Sequence, residues 1–171
     1  MVAISHSAVS VPQVSWRMPL MLTLGFWLSA SLVLDLVIMP ILFTSGMMAE
    51  TGFATAGYTL FWVFNRLELL CAALVLTAVL FCWGLRSSPG LFRQSQFFLA
   101  VLLFAIAAID TYLLTPQMSS LGLQLNLFAP LAATPDLMNQ FHAAYWVLDG
   151  VKLLAGGLLL GQCWRSSAVP G

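Results

Sequence analysis

Long runs of hydrophobic residues alternate with short polar stretches along this chain of 171 residues. Four of the runs are long enough to cross about 30 Å of hydrocarbon, since a helix rises about 1.5 Å per residue. They predict transmembrane helices over about 19–43, 58–84, 96–115 and 141–162. Residues that end or interrupt helices, such as Gly, Pro and Ser, lie in the segments between the runs. The pattern therefore predicts an all-α fold, an integral membrane four-helix bundle.

The remaining segments are predicted to be tails and linkers around a single membrane domain over 17–165. Residues 1–16 hold no Asp, Glu, Lys or Arg and show no periodicity, which indicates a flexible N-terminal tail, and 166–171 form a C-terminal tail. The connection 116–140 contains three prolines, and its MSSLGLQLNLF stretch favours a short interfacial helix. The first apolar run is longer than the roughly 7–15 residues of a signal-peptide core, so we expect a retained helix.

Composition supports a membrane setting and excludes several functions. Only 7% of the residues are charged, against roughly a quarter in soluble domains, and 61% are hydrophobic. The formal net charge is zero, which argues against a nucleic-acid partner. The three cysteines lack metal-type spacing, and no nucleophile elbow, HExxH, P-loop or GxGxxG motif is present. We expect a protein of the lipid bilayer that is not an enzyme, with no metal and no cofactor indicated.

Arginines near the helix ends predict the orientation. Given four spans, the arginines that flank them all fall on one side: Arg17, Arg86, Arg93 and Arg165. The opposite side carries Glu50 and Asp136 and no basic residue. Because cytoplasmic loops are enriched in Lys and Arg, both termini are predicted to be cytoplasmic.

Six charged residues lie inside the predicted helices: Asp35, Arg66, Glu68, Asp110, Asp149 and Lys152. Counted along the helices, all six lie roughly 8–17 Å below the ends opposite the termini. Each Arg, Lys or Asp at a helix centre costs about 2.5–3.5 kcal/mol on insertion scales, so we expect these side chains to meet inside the bundle. Four acids cannot be paired completely by two bases. The excess requires protonated carboxyls, a bound cation or water.

Helical spacing of three and four residues places these side chains on inward stripes. The stripes read Trp27, Ser31 and Asp35 on the first helix, Phe61, Asn65, Glu68 and Ala72 on the second, and His142, Tyr145, Asp149, Lys152 and Gly156 on the fourth. We expect the four acids to be proton or cation sites. Arg66 and Lys152 are predicted to be counter-charges, with Asn65 and His142 as hydrogen-bonding neighbours.

Two further patterns concern the helix surfaces. Gly157 and Gly161 form a GxxxG pair beside the inward stripe of the fourth helix, which permits close contact between helices. Aromatic residues near the outer ends are typical of an interfacial belt: Tyr58, Trp62, Tyr112, Tyr145 and Trp146.

Short segments in all parts of the bundle carry a family resemblance. They are FWLSASLVLDLVIMPILF in the first helix, FNRLE in the second, YLLTPQM after the third and FHAAYWVLDGVKLLAGG in the fourth. Over about residues 20–162 the chain resembles the bacterial domain-of-unknown-function 4149 family, which is similar to the transmembrane protein 205 group. The YLLTPQMSSLGL segment is most similar to its cyanobacterial branch. The resemblance implies a four-helix protein of a bacterial inner (plasma) or thylakoid membrane, with no established activity.

Three functions stay open at this point. In the first, the polar cluster binds or passes a proton, an ion or a small polar solute. In the second, the chain is a structural or assembly subunit of a larger membrane complex, such as a photosynthetic one, or forms a homo-oligomer, and the ion pairs serve to hold its fold. In the third and weakest, His142 is an axial ligand to a tetrapyrrole.

Overall fold

A computed structural model describes residues 17–47, 52–84, 91–128 and 136–168. Its helices are α1 (Arg17–Val33), α2 (Met39–Thr44), α3 (Phe53–Gly84), α4 (Leu91–Ile109), α5 (Thr115–Phe128) and α6 (Asp136–Ala168). A π-helical turn, Leu34–Ile38, joins α1 to α2, and a second one, Asp110–Leu114, joins α4 to α5. The predicted N-terminal tail lies outside the described residues, as do Glu50 and Arg86.

Within the described residues, four helical segments are long and apolar enough to cross a membrane, which confirms the predicted all-α, four-helix architecture. They are Arg17–Leu42, Thr55–Cys82, Gln94–Leu121 and Asp136–Arg165. The cytoplasmic location of both termini stays a prediction.

The four segments form a closed ring. Each helix packs against its neighbour in the chain, α1 on α3, α3 on α4 and α4 on α6, and α6 returns to pack on α1. Among the described residues, α3 and α6 are not neighbours in this ring, so they face each other across the centre of the bundle. A long side chain on α6 can therefore reach α3 through the interior.

The half of the bundle nearest the termini has an apolar interior. Leu20, Leu24, Val75, Leu103 and Leu159 belong to its buried core and are at most 5% exposed. The outer surface is also apolar, with Leu22, Phe98, Val147 and Leu154 each exposed by 66% or more. Such a surface is typical of a protein surrounded by lipid rather than by water.

Pro116 does not end the third span, which corrects the expected linker. The helix continues from the second π-helical turn directly into α5, so residues 116–128 are not a separate connection. The N–H of Thr115 donates to the carbonyl of Asp110, five residues earlier. Proline has no N–H and crowds the carbonyl four residues before it, and a widened turn relieves that crowding without breaking the helix. The N–H of Met39 donates to Leu34 in the same way, immediately before Pro40.

Helices α1 and α6 are in close contact at Gly156. A Cβ atom placed there would lie 2.7 Å from Cδ2 of Leu28, whereas one placed on Gly157 would meet nothing within 4 Å. We expect Gly156→Ala to be less stable than Gly157→Ala by about 1 kcal/mol or more, because only the first overpacks the interface. Both changes alter helix propensity equally, so thermal unfolding of the two variants in the same detergent isolates the contact. Equal stability would show that Leu28 moves aside freely.

Candidate functional site: a buried carboxyl cluster

Polar side chains from all four spans occupy the bundle interior beyond the apolar core. Six of the eight predicted site residues are at most 1% exposed: Asp35, Asn65, Glu68, Asp110, Asp149 and Lys152. We use the name carboxyl cluster for the four acids among them, Asp35, Glu68, Asp110 and Asp149, together with Lys152. The structure thus brings together most of the predicted site.

Glu68 on α3 is held through one of its two oxygens. Its Oε1 accepts hydrogen bonds from Nε1 of Trp27 at 3.0 Å and from Oγ of Ser31 at 2.8 Å. Both donors come from α1, one helical turn apart, as the predicted inward stripe requires. The same oxygen accepts from Nζ of Lys152 at 2.6 Å. The other oxygen, Oε2, is buried and finds no partner among the described residues.

Lys152 on α6 bridges two carboxyls. Its Nζ lies 2.6 Å from Glu68 Oε1 across the bundle and 2.6 Å from Asp149 Oδ1, one turn away on its own helix. The lysine is only 1% exposed, so neither pair is screened by solvent. The short, buried contact with Glu68 ties the two diagonally opposed helices together.

Asp35 and Asp149 meet from neighbouring helices. The carboxyl of Asp35, in the first π-helical turn, lies near that of Asp149, and the two repel each other when both are ionised. Like charges that are buried together favour protonation of one of the two groups. Oδ2 of Asp35 is buried without a partner in the described part of the chain.

Asp110 begins the second π-helical turn and is completely buried. Its backbone carbonyl accepts from Nδ2 of Asn65 at 3.4 Å, and the same amide donates to Oγ1 of Thr115. Thr111 Oγ1 in turn lies 3.2 Å from the carbonyl of Asn65. This network anchors the turn to α3, yet both carboxyl oxygens of Asp110 are left without a partner among the described residues.

The charges of the cluster do not balance. Within the described residues, four buried acids surround one buried base. Several buried oxygens lack a partner among the described residues, on Asp35, Asn65, Glu68 and Asp110. All of them are hydrogen-bond acceptors when the carboxyls are ionised. A site short of both positive charge and donors can take up protons, water or a cation.

Arg66 is not part of the cluster, which corrects its predicted role as a counter-charge. Its side chain is exposed on the outer face of α3, with Cζ 3.6 Å from the centroid of the Trp62 ring. Nη1 also donates to the carbonyl of Trp62 at 3.4 Å. A long arginine can run along the helix surface and place its charge toward the membrane interface. Because Arg66 lies outside, Lys152 is the only base in the bundle interior among the described residues.

Arg66→Gln is expected to lower the free energy of unfolding by no more than about 1 kcal/mol, the usual contribution of an exposed cation–π contact. Unfolding in mixed micelles, followed by tryptophan fluorescence, measures the change. Trp62→Leu provides the matched control, since it removes the same contact from the other side. A loss as large as that from removing a buried charge would place Arg66 back inside the bundle.

His142 also lies apart from the cluster, contrary to the prediction that it hydrogen-bonds there. It is exposed, and its Nδ1 lies 2.9 Å from the carbonyl of Met138 in its own helix. His142 lies at the edge of the inward stripe, one turn before Tyr145, and its side chain lies outside the bundle interior.

Tyr145 was predicted to lie on the inward stripe but also in the aromatic belt, and the structure places it inside. It is 7% exposed and its ring packs edge-on against Phe61, with centroids 5.8 Å apart. The hydroxyl is buried, has no partner among the described residues, and interacts electrostatically with all four acids. The other predicted belt residues are exposed: Tyr58, Trp62, Tyr112 and Trp146.

The structure adds four polar or aromatic neighbours of the cluster that are not among the predicted site residues: Trp27, Ser31, Thr111 and Thr115.

Comparison of the chain with protein-family models, curated proteins and solved structures found no match. The resemblance to the domain-of-unknown-function 4149 family therefore stays a prediction. What the cluster does has to be argued from its own geometry.

Proposed function

We propose that this chain is a membrane protein whose carboxyl cluster binds protons and exchanges them with one side of the membrane. The observation that carries the proposal is the excess of four buried acids over one buried base among the described residues. An uncompensated carboxylate in a low-dielectric interior is too costly to persist, so the group takes a proton instead.

Protons suit the site better than larger ligands. Each proton removes one negative charge and turns one acceptor oxygen into a donor, so it corrects both shortages together. Asp110, with two unpartnered oxygens, and the adjoining Asp35 and Asp149 carboxyls are the favoured positions. Among the described residues, no three His, Cys, Asp or Glu side chains converge as they would around a metal ion.

The apolar core supports access from one side only. Leu24, Val75 and Leu103 are completely buried in the half nearest the termini. Polar side chains of Asn65, Thr111 and Thr115 instead extend the cluster toward the opposite half. Transfer to the other side would require the apolar half to open. The π-helical turns at Asp35 and Asp110 are suited to such a movement, because widened turns occur often at functional sites.

Infrared spectroscopy of the protein in vesicles tests the proposal. We expect the carbonyl band of a protonated carboxyl at neutral pH, and we expect Asp110→Asn to remove part of it. Asp136→Asn is the matched control, because Asp136 is exposed at the start of α6 and should not contribute. A wild-type spectrum in which every carboxyl is ionised would refute the proposal.

A further inference from the structure

A groove lies on the outer surface of the bundle, between α1 and α6 and near the termini. Its volume is about 600 Å³, within the roughly 300–1,000 Å³ of small-molecule sites. Residues that line it include Met18, Leu22, Gly157, Gly161, Trp164 and Arg165. We refer to it as the α1–α6 groove. None of its lining residues belongs to the carboxyl cluster, and its interpretation does not depend on the proposed function.

The GxxxG pair forms part of the groove. A Cβ atom on Gly157 or Gly161 would meet nothing within 4 Å, so none of the described residues packs closely on the pair. The missing side chains, one turn apart on α6, leave a smooth depression. Leu22 and Trp164, each 66% exposed, stand beside it. An apolar depression that faces the lipid has the shape to hold a hydrocarbon chain.

The mouth of the groove is positively charged. Arg165 is exposed there, eight residues or roughly 12 Å along α6 from Gly157. Arg17 begins α1 at the same end and directly precedes Met18, which lines the groove. After Lys152, α6 contains no acidic residue, and α1 contains none. The groove therefore joins an apolar floor to a cationic mouth.

We propose that the α1–α6 groove binds one anionic phospholipid, with an acyl chain over Gly157 and Gly161 and the headgroup phosphate on Arg165. Guanidinium groups form strong charge-assisted hydrogen bonds with phosphate. A second copy fits less well, because symmetric packing through the same face would bring Arg165 of both copies together.

Quenching of tryptophan fluorescence by brominated lipids tests the site. The protein is placed in phosphatidylcholine vesicles with small amounts of brominated phosphatidylglycerol or brominated phosphatidylcholine. The signal of Trp164 is obtained by difference from Trp164→Phe. We expect brominated phosphatidylglycerol to quench Trp164 at about tenfold lower content, as a charged hydrogen bond implies. Equal quenching by the two lipids would mean ordinary surrounding lipid and would overturn the proposal.

Variants separate the headgroup from the acyl chain. Arg165→Gln should abolish the preference for phosphatidylglycerol while quenching by both lipids persists. Gly161→Leu should fill the groove and reduce the quenching of Trp164 by both lipids, and Gly157→Leu should repeat this result. Gly150→Leu is the control, since Gly150 lies elsewhere on α6 in equally open surroundings. If Gly161→Leu instead converts a dimer to a monomer in native mass spectrometry, a second copy occupies the groove and the lipid proposal fails.

Discussion

Replacement of Lys152 by methionine is expected to lower the free energy of unfolding by about 3–5 kcal/mol, the range for removing one partner of a buried ion pair. Lys152 is only 1% exposed and lies 2.6 Å from both Glu68 and Asp149. Methionine is unbranched and flexible, so it fills a similar space and the loss is mainly electrostatic. Folded proteins are stable by only about 5–15 kcal/mol, so the yield of folded protein should fall as well.

Unfolding of Lys152→Met in mixed micelles, followed by tryptophan fluorescence, gives the value. Arg66→Met is the matched control, since it removes a positive charge from the diagonally opposed helix α3 at an exposed position. We expect the control to lose no more than about 1 kcal/mol. Similar small losses in both variants would show that Lys152 is not the central counter-charge.

The spans and most of the cluster follow from the sequence for one physical reason. A bilayer demands about 20 apolar residues in each helix and penalises each charge within it, so long apolar runs mark the helices and the exceptions mark the interior. Asp35, Glu68 and Lys152 are such exceptions, and all three are buried. Stripes at helical spacing also placed Trp27 and Ser31 beside Asp35, where they now donate to Glu68.

The cost of insertion does not reveal the direction in which a charge points. Arg66 is two residues from Glu68, which turns it to a different face of α3, and its long stem allows its charge to leave the apolar layer. Arg66 stacks on Trp62, which precedes it by one helical turn. This spacing of four residues is visible in the sequence and indicates that the two side chains can meet. Tyr145 shows the same ambiguity, because an aromatic residue near a helix end can belong either to the interface or to the interior.

Helix continuity was the other property that the sequence obscured. A proline after an apolar run usually signals the end of a helix, so the sequence predicts that the third helix ends just before Pro116. In the structure the second π-helical turn precedes Pro116 and accommodates it without a break, and the helix extends to Phe128. The same turn begins at Asp110, so the irregularity in the backbone and the unpaired carboxyl occur together.

Glu68 is the position at which folding and proton binding can be separated. Glu68→Leu would leave two buried donors without an acceptor, on Trp27 and Ser31, and would remove one of the two carboxylates that Lys152 contacts. Each unpaired donor costs about 1–3 kcal/mol and a charged hydrogen bond contributes about 1.5–3 kcal/mol, so we expect a loss of at least about 3 kcal/mol. Glu68→Gln keeps an acceptor oxygen for the same donors, and Asp149 still pairs with Lys152. We expect Glu68→Gln to cost about 1–2 kcal/mol, because it exchanges charged for neutral hydrogen bonds.

Because Glu68→Gln should fold, its proton uptake distinguishes the proposed functions. If the apolar half opens and the carboxyl cluster transfers protons across the membrane, vesicles that contain Glu68→Gln should take up protons at a rate about a hundredfold or more below wild type, the range of a lost proton-transfer group. A pH-sensitive dye inside the vesicles measures the rate, with Asp136→Asn as the control. Unchanged uptake by folded Glu68→Gln would contradict a role for Glu68 in proton transfer. Native gels of the same variant test the alternative, a subunit of a larger membrane complex. Loss of such a complex with unchanged proton uptake would show that the Glu68 carboxylate serves assembly instead.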